Sequence, residues 1–344
     1  MRYTSLAPSA QVAYADLLTS LYNSAIPGRG TSCFTRNVKG RDYWYLQYTI
    51  GPSKRSCYLG PDTDSIRELV VKCRQKQDED KRQRSGRKRM VATCIATGLQ
   101  ALSPAEARVY EVLAQSGLFE AGAVIAGIHA FLHIGNMLCV QWEHFATRTK
   151  DVDIAQKQTI AVASPPVNMD FRETLARADK GVFPVPALDS RQPSTRFALR
   201  NQDLIVSLLT PLRGRPSSKP VLLKGLNAAA EPVRYLDYLI EDSQPAAVPA
   251  GTGLLIRIPS PSRFALHKLV VSQRRPVAFA AKGRKDLAQA AAVLEVLKDL
   301  RPGDIELAGA AAVRMGNKFV KQMLAATKLI DEELGALVRE AVVR

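Results

Sequence analysis

No stretch of this sequence stays apolar for the length that a bilayer crossing needs, and the first residues lack the charged-then-apolar pattern of a secretion signal. Both absences lead us to expect a cytoplasmic chain with no membrane partner. Cysteine is sparse and scattered. Cys33, Cys57, Cys73, Cys94 and Cys139 form no CxxC pair, which argues against a zinc ribbon or a redox dithiol and for reduced thiols. The histidines, His129, His133, His144 and His267, match no zinc pattern either. His129 and His133 stand four apart, but no HExxH glutamate goes with them, so a packed helix face is expected. Acids are the other shortage: 32 against 48 lysines and arginines, a net charge of +16. So basic a chain is expected to meet an anionic partner such as nucleic acid, nucleotide or an acidic protein, or else to carry a basic surface and no more.

What is present centres on Ala121–Ala155. Ala123 to Ala126 is an apolar run of strand length that Gly127 breaks, and Ile128 to Leu138 has the composition of a mostly buried helix. A second strand then carries Asp151 and Asp153. Residues two apart on a strand point the same way, so both carboxylates face one side and Val152 and Ile154 face a core. Carboxylates forced together repel, and a divalent cation such as Mg2+, with Mn2+ as a substitute, relieves this. The other reading is a pair of solvated loop acids.

The 344 residues suggest two or three domains. Residues 1–25 have an apolar helical face, and 26–30 (IPGRG) break it. Three short strands follow, at 34–38, 43–50 and 55–59, rich in tyrosine and basic residues. Such a meander either lies in a nucleic-acid groove or covers a helix. From Asp62 a long helix is expected to about Arg89. Its stretch from Arg67 to Arg89 holds ten cations against four acids, which makes it a solvated helix face or the best candidate for gripping an RNA or DNA backbone. Ser103-Pro104-Ala105-Glu106 is a capping box that starts another helix. Beyond Ala155, Arg196–Leu199 and Asp203–Thr210 read as a hairpin and 211–232 as a basic, loop-rich stretch. Arg234–Ile240 reads as strand-like, with Asp237 equally readable as a buried partner of Arg234 or a helix-surface acid, 253–258 as a strand, and most of the chain from Arg263 on as helices.

The order strand, Gly127-Ile128, helix, polar loop 147–150, then Asp-Val-Asp at 151–153 resembles the nucleotidyltransferase fold of the DNA polymerase β type. That superfamily has Gly-Gly or Gly-Ser where this chain has Gly127-Ile128. The resemblance implies an NTP substrate, Asp151 and Asp153 as metal-holding catalytic acids, and Gly127 and Thr149 beside the nucleotide. It also implies a third carboxylate on a neighbouring strand. That slot falls near Ser207, which is no acid, and leaves Asp237, or less favourably Asp203, as the candidate. Arg263–Arg275, followed by Lys282–Leu287, resembles the segment after the core of abortive-infection-type nucleotidyltransferases, bacterial proteins that include toxins of toxin–antitoxin pairs. By that resemblance Lys268 and Arg275 contact phosphate and Asp286 is a structural acid.

The expected architecture is therefore α/β (α+β). Residues 1–100 supply a helix, the β meander and the basic helix, 101–260 a nucleotidyltransferase-like core, and 261–344 a helical domain. The expected function is Mg2+-dependent transfer of an NMP to an unidentified acceptor, an RNA or a protein hydroxyl, in a toxin–antitoxin or phage-defence setting. The rival is a catalytically inactive core reused as a nucleic-acid-binding or interaction module, motivated by Ile128 and Ser207.

Overall fold

The computed structural model describes residues 2–24, 32–38, 40–50, 53–143, 150–158, 169–187, 189–201, 203–215 and 217–343, without the side chains of 48–50, 53–55, 76–77 and 80–81. From the N-terminus, β1 (Tyr3–Ser5) and α1 (Pro8–Ser24) precede the meander β2 (Ser32–Val38), β3 (Arg41–Ile50) and β4 (Ser53–Pro61). The long helix α2 (Asp64–Ala96) and then α3 (Pro104–Gln115) lead into β5 (Val124–Ala126), α4 (Gly127–Leu138), β6 (Val140–Trp142) and β7 (Asp151–Ala155). Next come α5 (Phe171–Ala176), β8 (Val182–Pro184), β9 (Arg196–Leu199), β10 (Leu204–Pro211), β11 (Val221–Leu223), β12 (Ala228–Val233) and α6 (Leu236–Ile240). A hairpin, β13 (Ser243–Val248) and β14 (Leu254–Pro259), precedes α7 (Pro261–Ser272), α8 (Ala280–Leu300), α9 (Pro302–Arg314), α10 (Asn317–Thr327) and α11 (Glu332–Val343).

The α/β expectation holds, and the central sheet runs β11-β12-β10-β7-β5, with β9 also paired to β10 and β8 to β9. β7, β10 and β12 are parallel, whereas β5 joins β7 antiparallel. Alternation fixes the register: Val152, Ile154, Val206 and Leu208 are fully buried, so a one-residue slip would turn both aspartates into the core. Each such buried side chain contributes about 1.5–3 kcal/mol. The capping box forms as read. Glu106 Oε2 accepts from the Ser103 amide at 2.7 Å, and the Ser103 hydroxyl accepts from the Glu106 amide at 3.3 Å.

Two stretches fold differently from the sequence reading. Residues 211–232 are not mainly loop, because β11 and β12 lie within them. Pro232 hid β12, yet it sits beyond the three residues that pair with β11, where its missing amide hydrogen is tolerated. The run Arg234–Ile240 is no strand. Tyr235 adopts a left-handed φ of 65°, and Leu236, Tyr238, Leu239 and Ile240 are buried on the short helix α6, leaving Asp237 exposed. Helix α2 also runs past Arg89 to Ala96, because Val91 and Cys94 pack against Ala13, Tyr14 and Leu17 of α1.

One buried cluster extends from Val109 to Ala341 and takes in the sheet and helices α7 to α11. Gly309 brings α9 against α11. A Cβ there would overlap the Ala341 carbonyl oxygen and lie 2.7 Å from its carbon. Backbone cannot swing aside, so Gly309→Ala is expected to lower stability by about 1–3 kcal/mol, read as the midpoint of urea unfolding. An unchanged midpoint would mean that the helices can separate at no cost.

Candidate active site

The site is built on one face of the sheet. Asp153 on β7 lies opposite Ala126 of β5 and Ser207 of β10, and Ser207 in turn lies opposite Arg196 of β9. Asp151 is one step earlier on the same face, opposite Ile205. One step later, Leu209 of β10 pairs with Ala155 on one side and Glu231 of β12 on the other. Strand parity therefore puts Asp151, Asp153 and Glu231 on a common face. Arg196 answers part of this negative charge, with its guanidinium 3.7 Å from Asp151 Oδ1.

The Asp153 carboxyl is pushed up to about 6. Burial is the main cause, followed by the charge of Asp151. Lys268 opposes the rise, Glu231 adds to it, and Arg196 again opposes it. Gly127 accounts for some of the crowding. It opens α4 at a φ of 63°, and a Cβ on it would overlap Asp153 Oδ2. Only glycine fits there on both counts. Ile128, next to Gly127, is buried among apolar groups.

Beneath this face runs a buried polar chain. The Tyr110 hydroxyl is 3.3 Å from His133 Nε2, and His129 Nε2 is 3.7 Å from Glu106 Oε1. Burial raises the Tyr110 phenol well above its usual value, and the charges of Glu106 and Asp153 add to the rise. The two histidines thus line a packed helix face, as expected.

On the other side, Lys268 of α7 donates to Asp286 Oδ1 at 2.6 Å, and Arg275 donates to Asp286 Oδ2 at 3.0 Å. Asp286 is buried, so one carboxylate clamps α8 to the end of α7 through two cations. The neighbouring His267 is buried as well. Burial first, then Lys268, push its imidazole down to about 3, which keeps it neutral.

A nucleotidyltransferase family model matches residues 105–314, more than half of the chain. The chain belongs to that family. No curated protein and no solved structure matches. Within this nucleotidyltransferase the matched range holds Gly127, Asp151, Asp153, Glu231, Lys268, Arg275 and Asp286, whereas the meander and α2 lie outside it.

The structure brings Asp151, Asp153, Gly127 and Lys268 together. Arg275 joins them through Asp286. Thr149 lies outside the described residues. Asp237 does not take the expected place on a neighbouring strand: it is exposed in the first turn of α6. Asp203 is a turn residue at a φ of 48° whose carboxylate pairs with Lys150. The acid that shares the face is Glu231, which the sequence reading missed. Its signal was Ala228-Ala229-Ala230-Glu231, a short apolar run followed by an acid. Among the described residues no group of three or more His, Cys, Asp or Glu could hold a metal ion. Past the end of β12 opens a groove of about 680 Å3, lined by Leu212, Ser217, Ser218, Pro232, Arg234, Arg274 and Lys318. Three of those seven side chains are cationic and none is acidic. No helix among the described residues is long and apolar enough to cross a membrane.

Proposed function

We propose that this nucleotidyltransferase moves an NMP from an NTP to an acceptor hydroxyl, with Mg2+ or Mn2+ as cofactor. The observation that carries the proposal is the shared face of Asp151, Asp153 and Glu231 beside the Gly127 turn, where burial first and then the charge of Asp151 push Asp153 up to about 6. These residues fit Mg2+, which takes one or two carboxylates plus substrate phosphates and water, so no three-ligand cage is needed. Asp151 and Asp153 would hold it. When bound, it would supply positive charge for the triphosphate and the developing charge at the α-phosphate.

Glu231, in the role first read for Asp237, would accept the proton from the acceptor hydroxyl. The acceptor oxygen forms a bond to the α-phosphorus, the bond from that phosphorus to the bridging oxygen breaks, and pyrophosphate leaves with the electron pair. Gly127 lets backbone approach the phosphates at the start of α4, where helix amides favour anions. Lys268 supplies a cation held in place by Asp286, and Arg275 stiffens that clamp. The cationic groove past β12 would take further phosphate, from the triphosphate or from an RNA acceptor. Similarity of the α7–α8 segment to abortive-infection proteins is what supports a toxin–antitoxin or phage-defence setting.

The test is transfer of label from each α-labelled NTP to RNA and to protein. Glu231→Gln is expected to cut the rate about 10²–10⁴-fold, the usual loss of a general base. Asp237→Asn should stay within about twofold. Loss in Asp237→Asn with an active Glu231→Gln would reverse the assignment. An absence of transfer to any acceptor, with Mg2+ and NTP present, would favour the inactive binding module.

A further inference from the structure

The sheet β2-β3-β4 has two faces, and among the described residues only one of them is packed against a helix. Cys33 and Leu46 are cross-strand partners, as are Thr35 and Trp44, so these four share a face. That face meets α2: Trp44 donates to Asp62 Oδ1 at 2.8 Å just before the helix, and Arg74 of α2 lies 5.8 Å from the Trp44 ring centroid. Gly60, opposite Trp44, is packed against Ile66. The Arg67 fork closes on Asp62 through two 2.8 Å bonds, fixing the sheet to the helix start.

The opposite face carries Phe34, Arg36, Tyr43, Tyr45 and Tyr58 by the same pairing. Phe34 stacks on Tyr45 with centroids 5.6 Å apart, and Tyr58 meets Tyr45 edge-on at 5.5 Å. The Arg36 guanidinium lies 5.7 Å from the Tyr45 centroid. Tyr58 is 53% exposed. The chain holds 22 Phe, Trp and Tyr, and six of them fall between 32 and 61, so the concentration is local. A sheet that only needed to cover a helix would use the inner face and leave the outer one polar.

We infer that this outer face binds single-stranded nucleic acid by stacking unpaired bases on Tyr45, Tyr58 and Phe34. Arg36 and Arg41, which the same pairing puts on this face, would meet the backbone phosphates. An exposed Tyr58 beside the half-buried rings of Phe34 and Tyr45 suits unstacked bases, whose π-faces a duplex hides. The net charge of +16, with Arg36 and Arg41 on the face itself, gives the complementary sign. The inference goes beyond the transfer reaction and does not depend on it, because the meander lies outside the matched family range.

The test is fluorescence anisotropy of the full chain with labelled 12-mers of dT and rU and a 12-base-pair duplex, at 50 and 200 mM salt. Single strands should bind more tightly than the duplex and weaken as salt rises. Tyr58→Ala, at an exposed ring, should weaken binding about 10–100-fold, the loss of one base stack. Tyr58→Phe should keep it, because the ring and not the hydroxyl carries the contact. Tyr22→Ala, at an exposed tyrosine of α1, should change nothing. Duplex binding as tight as single-strand binding, insensitivity to Tyr58→Ala, or no binding at 50 mM salt would overturn it. Transfer activity measured on the same variants keeps that outcome separate from a failure at the acid site.

Discussion

Asp153→Asn is expected to abolish nucleotidyl transfer, lowering the rate by about 10³-fold or more, while leaving the protein as stable as the wild type or more so. The two halves have one cause. The Asp153 carboxyl sits at about 6 because it is buried beside Asp151, so at neutral pH the fold holds a charge that its surroundings oppose. The sign follows from proton counting. Between about 4 and about 6 the folded chain keeps a proton on Asp153 that the unfolded chain has released. The unfolded state then binds fewer protons, so this group's contribution to stability falls as pH rises through that window. Asparagine carries no such charge. Relative to wild type, the variant should gain stability from pH 4 to pH 6 and hold the gain above, by up to about 3 kcal/mol at pH 7. Denaturant unfolding of both proteins at pH 4.5 and 7.5 reads the difference. A variant that is less stable at pH 7.5 would make Asp153 a structural acid.

The second large effect is expected at Asp286. This buried carboxylate accepts from Lys268 at 2.6 Å and from Arg275 at 3.0 Å. Its removal leaves Lys268, whose side chain is only 13% exposed, without its counter-charge. Truncating one partner of a buried pair costs about 3–5 kcal/mol, because the remaining charge has lost both water and partner. Asp286→Ala should therefore destabilise by about that much. Adding Lys268→Met to the same chain should return part of the loss, since Arg275 is exposed enough to find water. A loss below about 1 kcal/mol, or a double variant worse than the single, would show that the clamp does not join α7 to α8. If the double variant is folded, it should also bind NTP more weakly, because the cation that opposes Asp153 is gone.

The sequence carried the central unit because its signals are local. A strand, a glycine turn, a helix and an Asp-Val-Asp alternation can each be read within a dozen residues, and the capping box at Ser103 is local as well. Lys268 and Asp286 were legible only through resemblance, since eighteen residues of chain separate them and the contact is tertiary. Asp237 missed the expected strand position for a physical reason. Asp237 stands among apolar residues that suit a strand or a short helix equally, and the left-handed Tyr235 decided for the helix. Glu231 was hidden by Pro232, which argues against a strand unless the proline lies past the pairing partner. Ser207, where the third carboxylate was looked for, does lie opposite Asp153. Arg196 lies across from it, and the acid that shares its face belongs to the next strand out.

The most direct measurement is calorimetry of the purified protein against ATP, CTP, GTP and UTP, with and without Mg2+, beside the Asp151→Asn/Asp153→Asn variant. The account predicts metal-dependent binding of at least one NTP that the variant loses while remaining folded. Binding of equal strength in the variant, or no binding of any NTP by the wild type, would contradict it.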